Sequence, residues 1–384
     1  MKLLWIIGSL NPTTGGPVAA LLQLTVALRE LGHTCEVATL DGEHASGVDD
    51  FPGIVHVLGP SKGKYLYNPR LISWLCDNAP HFDGVFVNGI WLFAGLATWM
   101  AYKKAKFPYF VFVHGALNPW FKLQYPLKHL KKWLYWPWAE YRILRDAKAV
   151  LFTSEVERES ASRSFWLYKS KEVVVSYGTA LPAGNHNIQR QLFLDTYPQL
   201  GAKRFALFLG RIHPVKGCDL LIDAFAKIAA QDPDFRLVLA GPDQGGWQFA
   251  LRQRAFQLGI EERIIWTGML SGDIKWGAFY AADVFMLPSH SENFGIVVAE
   301  ALACGLPVLI TDKVNIWSEI KNDGAGLVEA DTPEGIVGLL EQWLRLSEVE
   351  RAEMRTRAMN CFLRRYEISL VAQNFSETIR QLLE

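Results

Sequence analysis

The chain carries no surplus of charge, since 39 Lys and Arg are matched by 39 Asp and Glu over 384 residues. A balanced surface offers no overall field to a polyanion, so no nucleic-acid partner is expected. Cysteine is sparse: Cys35, Cys76, Cys218, Cys304 and Cys361 are odd in number and far apart. No CxxC pair is left for a metal or a redox dithiol, which fits a reduced, cytoplasmic setting. No low-complexity tract and no short repeat is present, which excludes solenoid architectures. The apolar residues 1–8 meet Asn11 and Pro12 too soon for a signal peptide and lack a small-residue cleavage site, so they read as a first buried strand. The uncharged stretch 84–102, followed by Lys103 and Lys104, is long enough to cross a bilayer. Yet Gly84-Val85-Phe86-Val87-Asn88-Gly89 has the content of a short strand closing in a turn, and a separate helix over 90–102 is expected.

Apolar residues are plentiful. Hydrophobic side chains make up 50% of the chain, with 14 Trp, enough to offset the entropy of ordering it. The length exceeds the roughly 250 to 300 residues at which single cores stop growing, so two domains are expected. Short apolar runs alternate with helical patterns throughout, the signature of an α/β fold with parallel sheets and helical crossovers. In the first half the strand candidates are 2–8, 34–39, 84–87, 109–113, 149–153 and, more weakly, 173–176. The first helix starts near Pro17 and carries Ala20, Leu21, Leu24, Ala27 and Leu28 at helical spacing. The text turns polar around Pro182, Gly184, Asn185, Asn187 and Pro198, so 1–180 is read as one domain and 181–203 as a linker. A second domain over 204–365 holds strand candidates 205–210, 236–241, 263–268, 283–288 and 307–311. Two doubly wound domains of this kind bind ligands at the carboxyl ends of their strands, and a cleft between them is expected to be the site.

Three motifs lie at such strand ends. Thr13-Thr14-Gly15-Gly16-Pro17 joins the first strand to the first helix, where glycines admit a ligand and helix N–H groups suit a phosphate, although a plain turn would read the same. It is not GxGxxG, which weakens a nicotinamide reading. Gly210-Arg211-Ile212-His213-Pro214-Val215-Lys216-Gly217 places two cations five positions apart after the first strand of the second domain. They suit a diphosphate, Arg as a planar fork and Lys as a point charge, or form an exposed basic loop. In Ser289-His290-Ser291-Glu292-Asn293-Phe294-Gly295, Glu292 follows a strand, and Glu300 falls in the apolar helix beyond, where a carboxylate needs a partner. If the whole segment were helical, the two would stand about 12 Å apart, beyond the roughly 5 to 9.5 Å of paired glycosidase carboxylates. They are expected to grip different parts of one long ligand.

The order of these motifs resembles glycosyltransferase family 4, retaining enzymes of the GT-B type: a Gly-Gly loop after strand one, Arg-x-x-x-x-Lys opening the second domain, and Glu292 and Glu300 ahead of Ala301-Leu302-Ala303-Cys304-Gly305-Leu306-Pro307. The resemblance covers nearly the whole chain. It implies two Rossmann-like domains facing across a cleft, with a carboxyl-terminal helix over about 366–384 returning to the first. It further implies that Arg211 and Lys216 hold a nucleotide-sugar diphosphate, Glu300 the ribose and Glu292 the sugar hydroxyls. The backbone of Asn293, Phe294 and Gly295 would cradle sugar and phosphate, with Gly210 beside them. Gly268, Met269 and Leu270 would meet the base, Gly15 and Gly16 would close from the first domain, and His114, followed by Gly115, would lie near the donor sugar. A His at a strand's carboxyl end could equally be a cap. Ser176-Tyr177-Gly178-Thr179 departs from the family's pattern and is given no catalytic part. Asp232-Pro233-Asp234 matches a DxD metal motif in form but lies at the amino end of a strand, the face away from ligand, so it reads as a turn. No metal and no cofactor is expected.

Residues 119–138 hold Lys122, Lys128, Lys131 and Lys132 with no acid, among Trp120, Phe121, Tyr125, Trp133, Tyr135, Trp136 and Trp138. Leu127, Leu130 and Leu134 fall on one side of a helix and Lys128, Lys131 and Lys132 on the other. Peripheral contact with an anionic membrane at the inner face, packing against the first domain, and stacking on a sugar acceptor all fit this pattern. The expected activity is hexosyl transfer from a nucleotide sugar, UDP-glucose or a related UDP-sugar, to a saccharide or lipid-linked oligosaccharide acceptor in polysaccharide biosynthesis. A UDP-sugar epimerase of the same fold and a non-catalytic nucleotide-sugar-binding, membrane-docked scaffold are the alternatives.

Overall fold

Short runs of Val, Ile, Leu and Phe that are buried along their whole length, such as GVFVN over Gly84–Asn88, have no polar face to turn to water. They form the interior strands of parallel sheets covered on both sides. The computed structural model describes residues 1–12, 16–119 and 126–384 in two units, one of Met1–Gly178 with Ile368–Glu384 and one of Thr179–Glu367.

The first unit has seven strands: β1 Lys2–Ile7, β2 Thr34–Thr39, β3 Ile54–Val57, β4 Gly84–Asn88, β5 Tyr109–Phe112, β6 Ala149–Phe152 and β7 Glu172–Val174. Their order is β3-β2-β1-β4-β5-β6-β7, paired parallel throughout. The second has β8 Phe205–Leu209, β9 Arg236–Ala240, β10 Ile264–Gly268, β11 Val284–Leu287, β12 Val308–Thr311 and β13 Gly326–Glu329 in the order β10-β9-β8-β11-β12-β13, again parallel. Both are doubly wound α/β sheets. The order reverses between β1 and β4 in one and between β8 and β11 in the other, the two points where such sheets open a crevice at their carboxyl edge.

Two strands escape the sequence reading, β3 and β13. Both are four-residue strands at a sheet edge and are half-exposed, so neither is covered on both faces as an interior strand is. The stretch 84–102 resolves into β4 and helix Phe93–Ala105. Among the described residues no helix is long and apolar enough to cross a membrane.

Residues 181–203 are not a linker. Asn185 caps helix His186–Thr196 by accepting from the Asn187 and Ile188 N–H groups, and Phe193 and Leu200 are fully buried within the second unit. Of the turn residues that suggested a linker, Asn185 caps this helix, Asn187 lies in its first turn and Pro198 opens the 3₁₀ turn that follows. The last helix, Ile368–Leu383, joins the first unit. Its Phe375 ring lies 5.8 Å from Trp5 and 5.4 Å from Phe86, and Ser376 shares a 2.7 Å hydrogen bond with His33 Nε2.

Candidate active site

At the switch point of the second sheet, the loops after β8 and β11 bring together residues 76 positions apart. The Lys216 ammonium donates to Glu292 Oε2, with both side chains largely buried. Each is held by local structure. Lys216 ends a 3₁₀ turn, Pro214–Lys216, capped by His213 Nδ1, which accepts from the Val215 N–H at 3.2 Å. Gly217 follows at φ +67, and a Cβ there would stand 2.1 Å from the Pro288 carbonyl oxygen, so only glycine lets this loop lie against the end of β11. Glu292 is tied through its backbone to the loop after β12: its N–H donates to Lys313 O at 2.9 Å and its C=O accepts from Asn315 N at 3.0 Å. Gly295, at φ +76, turns the chain into helix Ile296–Ala303, and a Cβ there would press on Glu292 Cγ at 3.2 Å.

Arg211 is exposed and donates to Gln244 Oε1 at 3.1 Å. The His213 imidazole is held below its usual pKa by burial and then by the fields of Arg211 and Lys216. Gly210 extends the β8 ladder, donating to Ala240 O at 2.9 Å. Gly268 closes β10 at φ +69, Met269 is exposed and Leu270 is buried. Phe294 is buried edge-on against Tyr366 at 5.6 Å, so Asn293, Phe294 and Gly295 form a fixed bend.

Glu300 is nearly buried in helix Ile296–Ala303, and Lys275 of helix Gly272–Ala281 donates to its Oε1 at 2.6 Å. Its Oε2 is buried with no hydrogen-bond partner among the described residues. The all-helical spacing of the two carboxylates is corrected, because the helix begins only at Ile296 and Gly295 breaks it from Glu292. Each carboxylate has a lysine of its own on one oxygen.

In the first unit, Gly15 lies outside the described residues with Thr13 and Thr14, while Gly16 is the first residue of helix Gly16–Glu30. His114 follows β5 in the left-handed region at φ +50. Tyr177 Oη lies 3.1 Å from its Nδ1 and Asn88 Oδ1 lies 3.3 Å from its Nε2. Burial pushes its pKa down to about 4, so the ring is neutral near pH 7 and both nitrogens are engaged. Gly115, at φ +73, is held by Glu157, whose Oε1 accepts its N–H at 2.5 Å while Oε2 accepts from the Thr153 N–H at 2.7 Å. Glu157, Tyr177, Gln244 and Lys275 are the residues that sequence reasoning missed. Glu157, Gln244 and Lys275 stand in no motif, and Tyr177, named within Ser176–Thr179 but given no part, is known by its contact with His114.

Asp232-Pro233-Asp234 forms a turn, with Asp232 Oδ1 accepting from the Asp234 and Phe235 N–H groups at 3.1 and 3.2 Å. In helix Pro126–Tyr135, Leu127, Leu130 and Leu134 point outward, 79%, 59% and 70% exposed. Lys128 and Lys131 are also exposed, but Lys132 is not on a free basic face: it is half-buried, 4.9 Å above the Trp91 ring. Trp136 is buried, with Nε1 donating to Trp166 O at 2.9 Å. Trp120, Phe121, Lys122 and Tyr125 lie outside the described residues.

Known proteins resemble this chain in sequence and fold. Residues 15–178 match a glycosyl transferase 4-like domain and residues 195–360 match glycosyl transferases group 1. Mannosylfructose-phosphate synthase of Agrobacterium fabrum is 29% identical over 332 residues, 78% of this chain and 71% of its own. The D-inositol 3-phosphate glycosyltransferase of Rhodococcus jostii is 36% identical over 198 residues, spanning 49% of this chain and 43% of that protein. Among solved structures, Alr3699/HepE of Anabaena, in complex with UDP and glucose, has a TM-score of 0.78 over 99% of both chains at 19% identity. Sucrose-phosphate synthase of Thermosynechococcus elongatus has a TM-score of 0.77 over 99% of this chain and 98% of its own at 20% identity. Those two likenesses establish the fold, and the two domain matches in sequence order establish the family. The chain belongs to glycosyltransferase family 4 and has its GT-B fold of two Rossmann-like domains.

Proposed function

We propose that the protein is a retaining hexosyltransferase that carries a hexose from a UDP-sugar, UDP-glucose or a close relative, to a saccharide or lipid-linked oligosaccharide acceptor. The observation that carries this reading is the pairing of Lys216 with Glu292 at the switch point between β8 and β11, with Arg211 on the same loop as Lys216. Two cations there suit a diphosphate leaving group, and a carboxylate beside them suits the hydroxyls of the attached sugar. The complexes of the Anabaena protein with UDP and with UDP-glucose favour uridine in the donor.

In the reaction, the bond from the sugar's anomeric carbon to the diphosphate breaks. The bond to the acceptor oxygen forms on the same face, and the acceptor's proton passes to the departing phosphate. The protein supplies position and positive charge rather than a nucleophile. His114, neutral and doubly hydrogen-bonded, is assigned to shaping the donor-sugar pocket and not to proton transfer. The reaction is assigned no metal.

The test is UDP-glucose turnover with excess chelator, with the product's anomeric configuration read by NMR. Retention of configuration and chelator-insensitive turnover are expected. Arg211→Ala and Lys216→Ala should each cost about 2 to 4 kcal/mol of transition-state stabilisation. Inversion, a trapped glycosyl-enzyme, or losses below about threefold would overturn the reading. Epimerised nucleotide sugar as product would point to the alternative reaction.

The outward Leu127, Leu130 and Leu134 beside Lys128 and Lys131 support an acceptor held at an anionic membrane surface. Flotation with phosphatidylglycerol vesicles should retain the protein and phosphatidylcholine vesicles should not. Leu130→Glu with Leu134→Glu should release it with an unchanged melting temperature. Equal behaviour of variant and parent would remove the membrane from the reading.

A further inference from the structure

The Glu300 carboxylate is nearly sealed from water, and only one of its oxygens is satisfied. A buried carboxylate without a counter-charge takes up a proton. Protonated, one of its oxygens becomes a donor. Among the described residues Lys275 is the only cation acting on Glu300, and it comes from a different helix, Gly272–Ala281. It is steadied by its own neighbour, with Nζ 4.8 Å from the centre of the Trp276 ring. Its bond to Oε1 leaves Oε2 with lone pairs for hydroxyl hydrogens. Two acceptor oxygens of an ionised carboxylate match the adjacent 2′ and 3′ hydroxyls of a ribose, whereas a protonated carboxyl does not.

We propose that Lys275 is a positioning residue that holds Glu300 ionised and oriented so that its free oxygen accepts from the ribose hydroxyls of the donor nucleotide. This rests on the nucleotide site proposed above. Burial raises the Glu300 pKa, and the charge and hydrogen bond of Lys275 oppose that rise. The other titratable groups close by are Cys304 on the same helix and Tyr280 on the helix of Lys275. Burial pushes the Cys304 thiol up to about 12 and Tyr280 also upward, so neither ionises between about pH 6 and 9.

The experiment is calorimetric binding of UDP, ADP and GDP, each beside its 2′-deoxy counterpart, from pH 6 to 9, to the parent protein, Lys275→Met and Lys275→Arg. The ratio of ribo to deoxy affinity is the readout, because titration of the phosphate is common to both ligands and cancels. The parent should prefer the ribonucleotide at every pH. Lys275→Met should lose that preference by about tenfold near pH 6 and recover part of it as the pH rises. Lys275→Arg should restore it, and the deoxynucleotide should bind parent and Lys275→Met alike. A ratio in Lys275→Met within about twofold of the parent at all pH values, or equal weakening of both ligands, overturns the inference while leaving the nucleotide site standing. No binding of any of the three nucleotides by the parent overturns the nucleotide site itself, and the role of Lys275 with it. If Lys275→Met does not fold, Lys275→Gln and Lys275→Arg carry the same comparison.

Discussion

A histidine whose ring is buried neutral makes a pH-dependent contribution to stability. The folded chain holds His114 near a pKa of about 4, against an unperturbed value of 6.5. Above pH 6.5 both states are neutral there and nothing is lost. As the pH falls from 6.5 towards 4, the unfolded chain gains a proton that the folded chain refuses, and stability falls by up to about 3 kcal/mol. Urea unfolding of His114→Asn against the parent between pH 4 and 7 should show a shallower decline in the variant; parallel curves would mean that the ring is solvated. The Lys216 and Glu292 pair makes a different prediction at the same scale. Lys216→Met strands a largely buried carboxylate, at a cost of about 1 to 3 kcal/mol. Adding Glu292→Gln should recover most of that cost without recovering turnover, which separates folding from catalysis.

Among the elements, helix His186–Thr196 is the one whose standing changed most between sequence and structure. Phe193 is fully buried, packed 6.0 Å from the Phe205 ring at the start of β8. Phe193→Ala should therefore cost about 3 to 5 kcal/mol, measured by chemical denaturation, whereas in a linker it would cost nothing. The π-helical segment Trp136–Glu140 carries the opposite pH signature to His114. Burial pushes Glu140 up to about 8 although the Trp91 N–H, at 3.3 Å, and the Lys132 charge both oppose it. The unfolded carboxyl ionises near 4.5, so this contribution is full below that pH and is lost as the pH rises through about 8. Glu140→Gln should remove the decline and leave the variant about 2 to 4 kcal/mol ahead at pH 8. A variant less stable than the parent at pH 8 would show that the ionised form is the one the fold needs.

For the whole molecule, the last helix matters because it belongs to the unit that the chain left at Gly178. Phe375 sits among Trp5 and Phe86 on the first sheet. Phe375→Ala should destabilise the first unit by about 3 to 5 kcal/mol, while nucleotide affinity, which the proposed site draws from the second unit, stays within about twofold. A matching loss of affinity would show that the nucleotide site depends on the first unit. Thermal shift gives the complementary check, since a nucleotide at about 100 times its dissociation constant adds roughly 2.7 kcal/mol to the state that binds it.

Class, order and family were legible in the sequence because they depend on local pattern. Interior strands such as β4 and β8 are apolar along their length, helix Gly16–Glu30 keeps its 3.6-residue spacing, and the motifs after β8 and β11 stand in chain order. Edge strands β3 and β13 were not legible, since each is only four residues long and half-exposed. Which charges meet was not legible either. Lys216 with Glu292, Lys275 with Glu300 and Glu157 with Gly115 are separated by 76, 25 and 42 positions, and no periodicity links them. Linear spacing fixes which residues share a turn or a face. Only the packing of one loop or helix on another decides which cation lies beside a buried carboxylate, and that choice determines whether the carboxylate is ionised and what it can bind.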